Sequence, residues 1–188
     1  MKKSKTDRRV KYTNMLLRDA LVRSLQTEHI SNITVKSLCE KADVNRSTFY
    51  AHYKDPYDLL YHIEREVLDN IKRYLGKQDY HDESRPISFQ VLNRILQYVQ
   101  EKADIFRALL SDNSDASFQM EIMSLSQIDL FQSNKRLKKR TQEYLTVFGI
   151  TGCISILQKW LQDGMVESTT EISELILNIL YYGTIGLE

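Results

Sequence analysis

On its outer face the segment from Arg46 to Lys54 sets a guanidinium, two hydroxyls, a phenol, an imidazole and an ammonium within nine residues. Such groups donate hydrogen bonds or carry positive charge, which suits base edges and phosphate oxygens. Residues 45 to 54 contain no carboxylate. An ordinary solvated helix face more often pairs Glu with Lys at i, i+4 spacing. A face with donors and no acids fits a polyanion, and its chemistry is recognition.

Two short helices and a tight turn have to hold that face. Thr34 is a good N-cap, and Val35, Leu38, Cys39 and Ala42 follow at i, i+3, i+4 and i+7. That spacing predicts one apolar stripe on a short helix. Ala42-Asp43-Val44 makes the turn, and Asn45 caps a second helix over Arg46–Tyr53. Val44, Phe49 and Tyr53 then face inward, while Arg46, Ser47, Tyr50, Ala51 and Lys54 point away. Asp55 caps a third helix with Pro56 in its first turn, where a missing N–H costs nothing. This is the grammar of a helix-turn-helix. On it, Arg46 is the best candidate for a bidentate contact to guanine O6 and N7. Asn45 and Ser47 can reach bases or phosphates, and the methyl of Ala51 can meet a thymine methyl. Thr34 and Lys36 can anchor the flanking backbone, helped by the helix N-terminus.

Ile33-Thr34-Val35, Ala42-Asp43-Val44 and above all Ser47-Thr48-Phe49-Tyr50-Ala51-His52-Tyr53, followed by Asp55 and Leu59-Leu60, carry a resemblance. Over roughly residues 8 to 60 the chain resembles the DNA-binding domain of the TetR family. The resemblance implies that Thr48, Tyr50, His52 and Lys54 hold phosphates and set register. It also brings Lys5, Arg8, Arg9 and Lys11 of the first helix near the DNA backbone. Two positions depart from the family pattern. Pro56 stands where a phosphate-contacting lysine is usual, and Asp43 stands where glycine is frequent in the turn. Lys54 or Tyr57 can take over the first role, and aspartate tolerates the left-handed backbone better than most residues.

Composition agrees independently. The chain has 188 residues with only 6 Gly and 2 Pro, and no convincing apolar–polar alternation. An all-α fold is expected: an N-terminal three-helix helix-turn-helix domain (1–55), then a helical dimerisation and effector domain (56–188) entered by a connecting helix over 56–75. The net charge of +1 hides an asymmetry. Positions 1–55 hold 12 Lys and Arg against 6 Asp and Glu, and the remainder holds 14 against 19. A basic head on an acidic body is the footprint of a polyanion binder. The N-terminus has no apolar signal region, and no apolar run approaches membrane-spanning length, so a cytoplasmic location without membrane contact is expected. Cys39 and Cys153 read as small buried hydrophobes. The run Lys135–Arg140 reads as a solvated loop or helix start.

Further helices are predicted at about Lys5–Gln26, Pro56–Leu75, Ile87–Lys102, Asp104–Ser111, Ala116–Gln132, Lys139–Asp163 and Thr170–Gly183. Gly76–Pro86 is the clearest break. The last two helices are apolar on more than one side, and each side must be buried. Gly149, Gly152 and Ser155 would permit close approach. The resemblance implies that these helices pair with their copies in a homodimer, with Ile150, Ile154, Leu157, Leu161, Leu175, Ile176, Ile179 and Tyr182 at the interface. It also implies a small-molecule effector held in the body. Candidate walls are Leu92, Ile95, Leu96, Phe106, Leu110, Met120, Met123 and Phe148, although apolar stripes are plain core by default.

Catalysis has no support. There is no HExxH, P-loop, GxGxxG or Glu-x-x-His pair. His29, His52, His62 and His81 lie in different elements without ligand spacing, so no metal or cofactor is expected. The resulting expectation is a dimeric repressor released from an inverted-repeat operator in double-stranded DNA by a small ligand. An activator or co-regulator working through a protein partner is the alternative.

Overall fold

The computed structural model describes residues 2–76, 89–115, 117–125 and 138–183. Every regular element among them is helical, and no strand occurs among the described residues. In chain order they are α1 (Lys2–Leu25), α2 (Val35–Ala42), α3 (Arg46–Tyr50), α4 (Pro56–Leu75), α5 (Phe89–Glu101), α6 (Ala103–Leu109), α7 (Ser117–Leu125), α8 (Lys139–Gln162) and α9 (Thr169–Tyr182). The expected break over 77–86, and residues 135–137 of the basic run, lie outside the described residues.

Local chemistry sets the boundaries. Thr34 closes a capping box on α2: Ser37 N donates to Thr34 Oγ1 at 3.1 Å and Thr34 N to Ser37 Oγ at 3.2 Å. Ser168 and Glu171 make the equivalent box on α9. Each box satisfies helix-terminal N–H groups that otherwise lack partners. Asp55 caps α4 by accepting from Asp58 N at 2.8 Å, with Pro56 in the first turn. Between α8 and α9 the chain reverses through Gly164 (φ 85) and Met165 (φ 59).

α4 is the axis of the molecule. Its stripe of Leu59, Leu60, Ile63, Val67, Leu68 and Ile71 is buried. It meets α1 on one side and α5 and α7 on others. The buried core is continuous from Leu17 and Leu21 of α1 to Ile172 and Ile176 of α9, so no apolar gap separates head from body. Polar ties reinforce the join. Arg18 of α1 pairs with Glu66 of α4. The α6–α7 loop grips the end of α1 through one residue. Asn113 O accepts from Ile30 N at 2.9 Å, and Asn113 Nδ2 donates to Leu25 O at 3.0 Å. The same loop is tied to α8, since Gln158 Nε2 donates to Leu110 O. The head is therefore held by hydrogen bonds that lead back to α8.

α8 and α9 each bury one side and expose another. Ile150, Ile154, Trp160 and Leu161 of α8, with Ile172 and Ile176 of α9, are inside. Tyr144, Val147 and Phe148 of α8 and Leu175 and Ile179 of α9 are exposed. With 24 residues α8 is also long and apolar enough to cross a bilayer. Its contacts with α6, α7 and α9 show it packed as a core helix on its inner side.

Candidate nucleic-acid interface

Asp43 carries the turn between α2 and α3, at φ 51 and ψ 48. This is the left-handed region, which favours glycine and is tolerated by aspartate. Val44 N returns to Cys39 O at 3.0 Å and closes α2. Asn45 then caps α3, its Oδ1 accepting from Ser47 N at 2.9 Å.

α3 is shorter than its sequence suggests. The spacing predicts helix to Tyr53, but regular α-helix ends at Tyr50. His52 N turns back to Phe49 O at 2.9 Å, a tightened last turn. Tyr53 N also returns to Phe49 O at 2.9 Å, and the N–H after it, that of Lys54, is taken by Asp58 Oδ2 at 2.9 Å. Asp55 must be extended (φ −160) to cap α4, so the chain has to leave α3 early.

Phe49 anchors α3. It is fully buried and its ring centroid lies 5.8 Å from that of Tyr53, which in turn meets His62 of α4 edge-on at 5.6 Å. With that side fixed, the opposite face is set. Asn45, Arg46, Ser47, Tyr50, Ala51 and Lys54 are exposed, and Thr48 and His52 are half-buried. Arg46 has no ion pair among the described residues, so its guanidinium is available. Thr34 and Lys36 are exposed at the start of α2, although Thr34 Oγ1 already serves the cap and Lys36 faces Glu40 at 3.9 Å. Arg8 and Lys11 are exposed on α1. The side chains of Lys5 and Arg9 lie outside the described residues.

The structure brings the α2, α3 and α1 candidates into one N-terminal unit. It divides the candidate effector walls. Leu96, Phe106 and Leu110 are core, and Leu92 and Ile95 pack against it. Phe106 sits in an aromatic series, 5.7 Å from Tyr98 and 6.5 Å from Phe118. Met120 and Phe148 are 62% and 72% exposed, so they line no interior wall within one chain. Phe148 shares instead the outer stripe of α8. The Met123 side chain lies outside the described residues. The interface candidates divide too. Ile150, Ile154, Leu161 and Ile176 are spent on the chain's own core, Leu157 is half-buried, and Leu175 and Ile179 are exposed. The Tyr182 side chain is outside the described residues. Cys39 is buried, and Cys153 is half-buried with its thiol pushed up to about 11 by burial, so it stays protonated.

Sequence reasoning missed two residues at the junction of head and body. Asn113 is one. The other is Glu64, a buried carboxyl on α4 whose oxygens accept from Ser117 Oγ of α7 at 3.3 Å. Glu64 had a visible signal, since it falls on the α4 stripe between Leu60 and Val67. Asn113 had none beyond its place in a polar loop.

Known proteins share this arrangement. A family model described as "Transcriptional regulator C-terminal region", of TetR type, matches residues 88–182. An uncharacterized HTH-type transcriptional regulator of Bacillus subtilis (strain 168), YxbF, is 33% identical over 61 residues. That match takes in 32% of this chain and spans only 15% of the relative's length. A TetR transcriptional regulator from Streptococcus agalactiae 2603V superposes with a TM-score of 0.62 at 26% identity, covering 93% of this chain and 97% of its own. A TetR-like regulator from Rhodococcus sp. RHA1 gives a TM-score of 0.67 at 14% identity, covering 93% and 96%, a likeness of fold. With its all-helical fold, its helix-turn-helix and a C-terminal region matched over half its length, the chain belongs to the TetR family of transcriptional regulators.

Proposed function

We propose that this regulator binds an inverted-repeat DNA site as a homodimer and represses until a small ligand releases it. The observation that carries the DNA reading is the outer face of α3. Arg46, Ser47, Tyr50, Ala51 and Lys54 are all exposed there, with no carboxylate between residues 45 and 54. A free guanidinium at the start of that face suits guanine in the major groove. The exposed lysine at its end suits a phosphate.

Selection of the purified protein on a random double-stranded library, followed by sequencing of the bound fraction, tests the reading. An inverted repeat is the expected product, and a folded protein that enriches no sequence would overturn it. On the best site, Arg46→Ala is expected to cost about 1–3 kcal/mol and flatten preference at one base pair. Lys54→Ala should weaken all sequences alike and lower the salt slope by about one. Parent-like affinity of Arg46→Ala for its best site, read by fluorescence anisotropy, would remove that residue from the base-reading role.

The dimer reading rests on the outward stripe of Tyr144, Val147 and Phe148 on α8 beside Leu175 and Ile179 on α9. Gly152 lies on the same side, where an added Cβ would meet nothing within 4 Å. Large exposed apolar side chains in a contiguous stripe mark an association surface. A two-fold pair of such chains would present two α3 helices to successive major grooves, about 34–36 Å apart. Phe148→Glu should give a monomer by light scattering. Its melting at low concentration should match that of a dissociated parent, because this side chain is not in the chain's own core. A dimer that survives the substitution unchanged would move the interface elsewhere.

For the effector, an apolar or weakly polar molecule would have to enter by repacking Leu92 and Ile95 against the core residues Leu96, Phe106 and Leu110. Such a ligand acts only through differential affinity for two head spacings. Tyr98, beside Phe106, accepts a hydrogen bond from Asn70 of α4 at 2.9 Å, so repacking there would reach the connecting helix.

A further inference from the structure

The hydroxyls on the outer side of α3 are not equivalent. Asn45 Oδ1 accepts twice, from Ser47 N at 2.9 Å and from Ser47 Oγ at 3.0 Å. The backbone N–H can only donate, which identifies the amide oxygen and leaves Asn45 Nδ2 as the outer, donating end. The hydroxyl proton of Ser47 is thereby committed to Asn45, and what remains on Ser47 Oγ is lone pairs. Thr48 and Tyr50 differ, since neither hydroxyl makes a hydrogen bond among the described residues.

Ser47 is exposed at the second residue of α3, next to the unpaired Arg46. Phosphate and sugar-ring oxygens only accept, so a hydroxyl with its proton spent gains nothing from them. To donate to a phosphate, Ser47 would have to abandon Asn45 and exchange one hydrogen bond for another. The donors of the major groove are the exocyclic amino groups, N6 of adenine and N4 of cytosine. Contact with one of these keeps the bond to Asn45 and adds a second, and the two polarise each other favourably.

We infer that Ser47 is a specificity-determining acceptor that reads a base amino group in each half-site, and that Asn45 is the positioning residue that fixes its polarity. Arg46 and Ser47 then make opposite demands side by side. The guanidinium needs an acceptor edge, and the serine needs a donor. A phosphate role for Ser47, open from sequence alone, is disfavoured by the same geometry.

The inference rests on the DNA-binding reading. Its test uses the full-length protein and the best site from the random-library selection. Duplexes are made in which single adenines are replaced by purine, or single cytosines by pyrimidin-2-one, each lacking the amino group. At one half-site position the parent should bind the amino-less duplex about five- to tenfold more weakly. A purine penalty assigns adenine, and a pyrimidinone penalty assigns cytosine. Ser47→Ala should show no penalty at that position, and Ser47→Thr, which keeps a hydroxyl, should restore it. Asn45→Ala should blunt the same preference, a change of base profile that a purely structural cap would not produce. If Ser47→Ala weakens every sequence alike and keeps the parent's penalties, the residue is a phosphate contact and the inference fails while the DNA reading stands. A folded protein with no salt-dependent binding to any duplex overturns both.

Discussion

Phe49→Ala is expected to cost about 3–5 kcal/mol and to abolish DNA binding while leaving the body folded. Phe49 is fully buried where α3 meets the rest of the head, with Tyr53 at 5.8 Å. α3 is only five residues long and cannot persist by itself. Its position comes from this one large side chain, from the Asn45 cap and from the tight exit at His52. Removing the ring leaves a void that a short helix fixed at both ends cannot collapse around. Most of the head's stability would be lost, so thermal unfolding by circular dichroism should gain an early transition. Tyr50→Ala is the control. That neighbour is 60% exposed, so its loss should change stability by no more than about 0.5 kcal/mol. Coincident melting of Phe49→Ala and the parent would mean that the head's core lies elsewhere.

Local chemistry made the head legible. Thr34, Asn45 and Asp55 are each followed by the helix that their side chains cap, and Pro56 marks a first turn without ambiguity. Asp43 sits at the one turn position that demands a positive φ. The end of α3 was not legible, because it is decided by competition. Residues 51–53 suit helix well enough, but Asp58 in the first turn of the following helix claims Lys54 N while Asp55 turns extended to cap that helix, and together they draw the chain out.

The body was legible as helices and less so as faces. α8 carries apolar residues on two sides, and periodicity cannot say which side meets its own chain. Ile150 and Ile154 turn inward while Val147 and Phe148 turn out, a choice made by α6, α7 and α9 together. Phe148 was for that reason a ligand-wall candidate whose default reading was plain core, and within one chain it is exposed. Asn113 was illegible for another reason. Its two bonds to Leu25 O and Ile30 N join positions more than 80 residues apart, and nothing local in Ser111–Asp115 encodes them.

Glu64→Gln should stabilise the protein by about 3 kcal/mol at pH 8 and by close to nothing at pH 4.5. Burial pushes the Glu64 carboxyl from its ordinary 4.5 up to about 7. The Ser117 hydroxyl opposes that shift, while Asp115 just before α7 and Glu121 on it add to it. Arg65 of α4 is 3.3 Å from Glu121, so its guanidinium pairs with that acid. Because the folded value lies above the unfolded one, the folded state holds its proton longer as pH rises. The stability this group supports is therefore complete below about pH 4.5 and falls away up to about pH 7, beyond which both states are ionised. Glutamine keeps the shape and a hydrogen-bonding end without a charge to bury, so its curve should lack that decline. Urea denaturation of both proteins at pH 4.5, 6 and 8 measures the difference. Parallel stability curves would show that Glu64 is solvated in the folded protein, and the α4–α7 contact would then have to be looser than its 3.3 Å hydrogen bonds indicate. A diverging pair would place an acid that ionises near neutral pH on the helix joining the DNA-reading head to the body.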